Sequence, residues 1–181
     1  MCVGYTHSGK TTFSKKLAKN QKNTVLIDND EIAAFLNSKY PAVTFSDYNK
    51  IKRDFTEPNL KFLVFKDLLN YSLRADVNVV LSNGNLGKDI RDLVTNYAKK
   101  YSYQVIMIYF KISKETIKSR IEKTTKGSKS FLLSKNWSEV LIKQEKYAEL
   151  PPSKTKIHHY FEIEKDADYK KVLSEIKTIL C

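Results

Sequence analysis

Short, unbroken apolar runs alternate along this chain with longer stretches whose apolar residues recur at helical spacing. Residues 24–28 (Thr24-Val25-Leu26-Ile27-Asp28) and 77–82 (Val77-Asn78-Val79-Val80-Leu81-Ser82) are such runs, and each predicts a buried parallel strand. Residues 103–112, with the core run Val105-Ile106-Met107-Ile108, predict a further strand, and 157–163 alternate toward another. Between the runs, Asn29-Asp30-Glu31 opens a helix over 32–38. Leu60, Leu63, Val64, Leu68 and Leu69 lay a stripe along a helix over 59–75. Further helices are predicted over 89–100, after the capping residue Ser113, over 137–150 up to Pro151-Pro152, and over 166–180. Strands alternating with helices imply one α/β domain over residues 1–181, a parallel sheet with right-handed crossovers and helices on both faces.

Only Met1-Cys2-Val3 precede the first polar turn, so the first strand is short against a usual length of roughly five or six residues. The expectation is a truncated strand 1, or a natural start upstream of Met1. The turn that follows is the most informative stretch. Gly4-Tyr5-Thr6-His7-Ser8-Gly9-Lys10-Thr11 fits G-x-x-x-x-G-K-[ST], the phosphate-binding P-loop. Two glycines let the backbone curl so that successive N–H groups point at phosphate oxygens. Lys10 adds positive charge, the Thr11 hydroxyl can ligate Mg²⁺, and the helix opening at Thr11-Thr12 turns its positive end toward the anion. The nucleotide-binding set read from the motif is Gly4, Tyr5, Thr6, His7, Ser8, Gly9, Lys10, Thr11 and Thr12.

Composition changes this picture little. No apolar run reaches transmembrane length and no signal-peptide pattern opens the chain, which gives a cytoplasmic expectation and no membrane partner. Cys2 and Cys181 stand at opposite ends and form neither a disulfide framework nor a metal cluster. The net charge of +12 comes from 32 basic and 20 acidic residues, and only four of the basic ones are arginine: Arg53, Arg74, Arg91 and Arg120. Such charge attracts polyanions, but lysines dispersed over solvated helix faces explain it equally well.

Candidate chemistry gathers at predicted strand ends. Asp28 and Asp30 follow strand 2 at the edge where open α/β sheets bind ligands, although Asp30 also suits a helix N-terminus favoured by the dipole. Asn83-Gly84-Asn85-Leu86-Gly87 forms a polar turn at the same edge. Residues 40–58 mix Tyr40, Phe45, Tyr48 and Phe55 with Lys50, Lys52 and Arg53. That composition suits base stacking with phosphate pairing, or plain packing under a helical arm. Residues 124–135, with Lys126 and Lys129, read as a basic loop or lid. His158 and His159 point to opposite faces of the last strand and are structural.

With these residues in place, the chain resembles the P-loop kinases grouped around polynucleotide kinase, zeta-type toxins and chloramphenicol phosphotransferase. The resemblance rests on the P-loop at Gly4 to Thr11, the strand-end Asp28-Asn29-Asp30, the strand-3 end, an Arg-bearing helix after strand 4, and a basic lid before a helix ending in Pro. It implies a P-loop three-layer sandwich with sheet order 2-3-1-4-5, a lid over about 120–136, ATP–Mg²⁺ as donor and phosphoryl transfer to a hydroxyl. The base role would fall on Asp30 and the phosphoryl-stabilising role on Arg120, beside Lys10. Mg²⁺ would be held by Thr11, with Asp28 acting through water. The acceptor would meet Asp30, Arg53 and Asn85. Two departures stand out. The family's D-x-T-N-L pattern appears as Asn83-Gly84-Asn85-Leu86 after Ser82, without its acid. The further lid arginine is replaced by Lys123, Lys126 and Lys129, which lack the bidentate fork. A nucleic-acid end or nucleoside-like acceptor is the favoured expectation. The alternatives are an antibiotic or sugar-nucleotide kinase, and an ATP-binding switch without transfer.

Overall fold

The computed structural model describes residues 1–42, 60–125 and 136–180. Arg53, the aromatic residues beside it and most of the basic lid, including Lys126 and Lys129, lie outside the described residues.

Among the described residues there are five parallel strands: β1 (Cys2–Val3), β2 (Thr24–Ile27), β3 (Asn78–Leu81), β4 (Ile106–Phe110) and β5 (His159–Ile163). They form two ladders. One runs β1-β4-β5, with Cys2 opposite Ile108 and Ile108 opposite Phe161; the other pairs β2 with β3, Ile27 opposite Leu81. Both ladders follow the expected order 2-3-1-4-5, but among the described residues no ladder pairing joins β3 to β1. Strand β1 spans only two residues before the chain turns at Gly4 and pairs with β4 on one edge; on the other edge no ladder with β3 forms. Two single bonds bridge the gap instead. The Gly4 N–H donates to the Gly84 carbonyl (2.9 Å), and Asn85 Nδ2 donates to the Cys2 carbonyl (2.7 Å). Beside them lies a largely apolar cavity of about 110 Å³ whose walls include Met1, Val80, Ile106 and Ile176. The Met1 ammonium donates to the Ile106 carbonyl (2.7 Å), and burial pushes its pKa down.

Helices cover both faces. On one, α1 (Lys10–Lys19), α5 (Lys114–Thr125), α6 (Trp137–Tyr147) and α7 (Asp168–Leu180) build a core of Phe13, Leu17, Ile117, Leu141, Leu173 and Ile176 against Ile108, Phe110 and Ile163. On the other, α3 (Leu60–Arg74) and α4 (Lys88–Lys100) bring Phe65, Leu69, Leu73 and Val94 onto Ile27 and Leu81. Val80 faces the first core and Leu81 the second, as strand alternation requires. Helix α2 (Asn29–Lys39) follows β2 directly, capped by the Asp28 side chain.

Several boundaries move from the sequence expectation. Strand 4 begins at Ile106, because the Tyr103 N–H bonds back to the Ala98 carbonyl (2.8 Å) and closes the end of α4. Helix α6 stops at Tyr147, since Ala148 is extended and the Glu149 N–H goes to the Leu86 carbonyl (3.0 Å). His158 accepts the Val105 N–H at Nδ1 (2.9 Å), a structural role as expected.

Candidate nucleotide and acceptor site

The loop from Gly4 to Thr11 joins β1 to α1 at the carboxyl edge of the strands. It curls through left-handed backbone at His7 (φ 56°) and Gly9 (φ 97°). A side chain at Gly9 is excluded twice over: by its φ, and because a Cβ there would lie 1.8 Å from the Tyr169 hydroxyl. Tyr169 supports the loop from outside, donating to the Ser8 carbonyl (3.2 Å) and packing edge-on against Phe13 and Phe110.

Helix α1 begins at this loop with Gly9 at its cap, without a capping side chain and without an acid in its first turn. Helices α2 and α6 differ: their first amides are taken by Asp28 and Asn136. The first intrahelical bond of α1 is Phe13 N–H to Gly9 O (3.1 Å), which leaves the amides of Lys10, Thr11 and Thr12 at a positive helix end. Lys10 is only 8% exposed, and its ammonium donates to the Tyr5 carbonyl and to Ser8 Oγ (3.1 Å). Burial lowers its pKa to about 8, with Cys2, Asp30 and Asp28 pulling the other way. A cradle of amides, a helix start free of acids and a buried lysine fit the phosphates of a nucleotide.

Thr11, Ser82 and Asp28 form a chain of hydroxyl and carboxylate. Ser82 Oγ lies 2.9 Å from Asp28 Oδ2, to which it donates, and 3.3 Å from Thr11 Oγ1. Asp28 is buried, and its Oδ1 accepts the Asp30 N–H (2.9 Å). Strand register explains the arrangement: one step beyond the Ile27–Leu81 pair, Asp28 stands opposite Ser82. The missing strand-3 acid is thus answered by an acid on the neighbouring strand. These oxygen donors fit Mg²⁺, which takes few protein ligands and keeps water and phosphate oxygens in the rest of its shell. Among the described residues no group of three or more His, Cys, Asp or Glu could hold a metal on its own.

Asp30 stands exposed in the first turn of α2. Loss of surrounding water holds its carboxyl above the usual range, and Asp28 adds to this, while Lys61 and Lys10 draw it back. Arg120, on α5, reaches the loop from outside: it donates to the His7 carbonyl (3.1 Å) and pairs with Asp166 (2.8 Å). Asn85 is 5% exposed and sits behind the loop, where it joins β1 to the β3 turn. The structure therefore links Thr11, Asp28 and Asp30 beside Lys10, places Arg120 on the loop's main chain, and sets Asn85 beneath it.

The sequence reading gave no site role to Ser82, Tyr169 or Gln144. Gln144 Oε1 accepts the Thr6 N–H (2.7 Å), and Trp137 packs edge-on against His7 at 4.9 Å, so α6 touches the loop's crown. Ser82 was open to detection by counting register from Asp28. Gln144 was not, because its contact spans 138 positions.

The parallel strands, flanking helices and glycine-lysine loop define an α/β P-loop domain of kinase-like fold. The chain belongs to the AAA domain family, whose model matches residues 1–144. No similar sequence was found among curated proteins. Among solved structures, the chain is similar to Kti12 of Chaetomium thermophilum in complex with ADP-AlF3. That match has 18% identity over 98% of this chain and 96% of that one, with a TM-score of 0.63. It is similar to a gluconokinase from Sinorhizobium meliloti (14% identity, 98% and 94% covered, TM-score 0.56). It is also similar to the Mycobacterium tuberculosis APS kinase in complex with AMPPNP and APS (10% identity, 99% and 94% covered, TM-score 0.53). At these identities the likeness concerns the fold.

Proposed function

We propose that this protein is an ATP-dependent phosphotransferase that delivers the γ-phosphoryl group to a hydroxyl of a small molecule. The observation that carries the reading is the hydrogen-bonded run from Thr11 through Ser82 and Asp28 to the main-chain N–H of Asp30, which ties the residue after the loop's lysine to a carboxyl whose pKa is raised. Two of the structural neighbours are kinases by name, and two were crystallised with ADP-AlF3 or AMPPNP, which supports nucleotide as donor. The likeness to a gluconokinase and to an APS kinase favours a small-molecule acceptor over a nucleic-acid end.

The chain's residues divide the work. Loop amides and Lys10 hold the donor's phosphates and neutralise charge as it moves to the bridging oxygen. Thr11, with Asp28 through water, would hold Mg²⁺, which supplies charge neutralisation on the phosphate oxygens. Asp30 orients the acceptor hydroxyl and takes its proton as the new O–P bond forms and the bond to ADP breaks. Arg120 is assigned to charge on the transferring group, a role that requires its guanidinium to exchange Asp166 for phosphate oxygen.

The test is transfer of labelled γ-phosphate from ATP to a panel of small hydroxyl compounds. Asp30→Asn is expected to keep ADP affinity and to lose roughly a hundred- to ten-thousand-fold in transfer rate. Full transfer in that variant removes Asp30 as the base. Hydrolysis of ATP with no acceptor labelled by the wild type contradicts the kinase reading.

A further inference from the structure

One peptide of the phosphate loop, Tyr5–Thr6, is held from two sides. Its carbonyl accepts from the Lys10 ammonium, and its N–H donates to Gln144 Oε1 (2.7 Å). The peptide is trans. Its C=O and N–H therefore point in opposite directions, so Lys10 and Gln144 bracket a single plane. Turned over, the same peptide would aim its N–H at the ammonium, which is a donor and cannot accept. Lys10 has a second acceptor in Ser8 Oγ (3.1 Å). Two of its three N–H groups are thereby engaged, which leaves the third for a phosphate oxygen. The direction of that third group depends on the Tyr5 carbonyl staying where it is.

Helix α6 delivers the glutamine from outside the loop. Trp137, Leu141 and Gln144 stand at i, i+4 and i+7 and so share one face of it. Leu141 is buried in the first core, Trp137 rests edge-on against His7, and Glu145 pairs with Lys114 of α5 (2.8 Å). The residue type fits the task. A neutral amide supplies an acceptor to the Thr6 N–H without setting a negative charge beside a phosphate site, whereas lysine or arginine could not accept at all. We propose that Gln144 is a positioning residue for the phosphate loop: it locks the Tyr5–Thr6 peptide so that the Lys10 ammonium keeps its third N–H for the nucleotide. This role presupposes a nucleotide-binding loop, and it adds a residue outside the motif that serves it.

The test is a double-mutant cycle on the whole protein, titrated calorimetrically with ADP–Mg²⁺: wild type, Gln144→Met, Lys10→Ala and the two substitutions combined. Methionine keeps the length and apolar stem of the side chain and removes the acceptor oxygen. Gln144→Met is expected to weaken ADP binding about ten-fold when Lys10 is present and less than about two-fold when it is alanine, because the lost bond acts through the lysine. Amide exchange followed by NMR gives a readout without nucleotide. The Thr6 N–H is expected to exchange about ten-fold faster in Gln144→Met than in the wild type, and to stay protected in Gln144→Glu, which keeps an acceptor oxygen. Equal losses of ADP affinity in the two backgrounds would mean that the glutamine only steadies the fold; they overturn the positioning role and leave the nucleotide reading standing. An unchanged ADP affinity, or an unchanged Thr6 exchange rate, in Gln144→Met does the same. ADP binding by none of the four proteins overturns the nucleotide reading itself, and with it any part of Gln144 in holding phosphate.

Discussion

Lys10 carries the clearest consequence at the scale of single residues. Its pKa of about 8 means that the free loop loses the charge on its principal cation within the accessible pH range. Phosphate binding requires the ammonium, so ADP affinity is expected to fall as pH rises above about 8, with proton uptake on binding near pH 9 and none near pH 7. Calorimetry in buffers of different ionisation enthalpy measures that uptake, and its absence would remove Lys10 from the phosphate contacts. The stability effect has the opposite sign. The folded pKa lies below the ordinary 10.5, so the unfolded chain binds more protons between about pH 8 and 10.5. Across that window Lys10 favours the folded state increasingly as pH rises. Asp30 is displaced upward, so the acid limb of a transfer-rate profile is expected above the usual carboxylate value of about 4. A limb at or below that value would contradict Asp30 as the base. The phosphate-loop pattern was legible in the sequence because it depends on residue type at fixed spacing, as at Gly9, Lys10 and Thr11. Ser82 was present in the sequence as the residue before the Asn83 turn, but its role needed Asp28 placed opposite it.

Elements hold these residues through a few buried contacts. Arg91, on α4, is 5% exposed and donates to the carbonyls of Asn85, Leu86 and Glu149, which pins the β3–α4 turn to the segment after α6. Arg91→Met removes a donor from three carbonyls, of which Leu86 keeps the Glu149 N–H, and is expected to cost about 1–3 kcal/mol. Urea unfolding should show a lower midpoint at unchanged slope, with ADP affinity retained. A midpoint equal to that of the wild type would mean that the turn stands without this clamp. Helix and strand identities were legible because apolar periodicity survives in single elements, and Val80 of the 77–82 run is buried. The buried face was less so: in the 59–75 stripe Leu69 is buried, but Leu63 and Leu68 are exposed, and Phe65 and Leu73 fill the core instead. The ends were less so. Where α4 closes on Tyr103 and where α6 gives way at Ala148 are decided by backbone bonds to distant carbonyls, and periodicity does not record those.

At the scale of the whole molecule, the sheet is two ladders held together near the phosphate loop. The shortness of β1 was legible in the sequence, but the form of the join was not, because Asn85 reaches Cys2 across 83 positions. Asn85→Leu removes that bond and is expected to cost about 1–3 kcal/mol and to lower ADP affinity as well, since Gly4 opens the loop beside it. Thermal unfolding with and without ADP separates the two effects, and a variant as stable as the wild type would show that the Gly4–Gly84 bond suffices. The architecture has its meaning only if the loop at the junction receives phosphates. Calorimetric titration of the wild type and of Lys10→Ala with ADP–Mg²⁺ tests this most directly. Saturable binding by the wild type, weakened about ten- to a hundred-fold in the variant, is the expected result. Equal affinity in the two proteins, or no binding by the wild type, would contradict it.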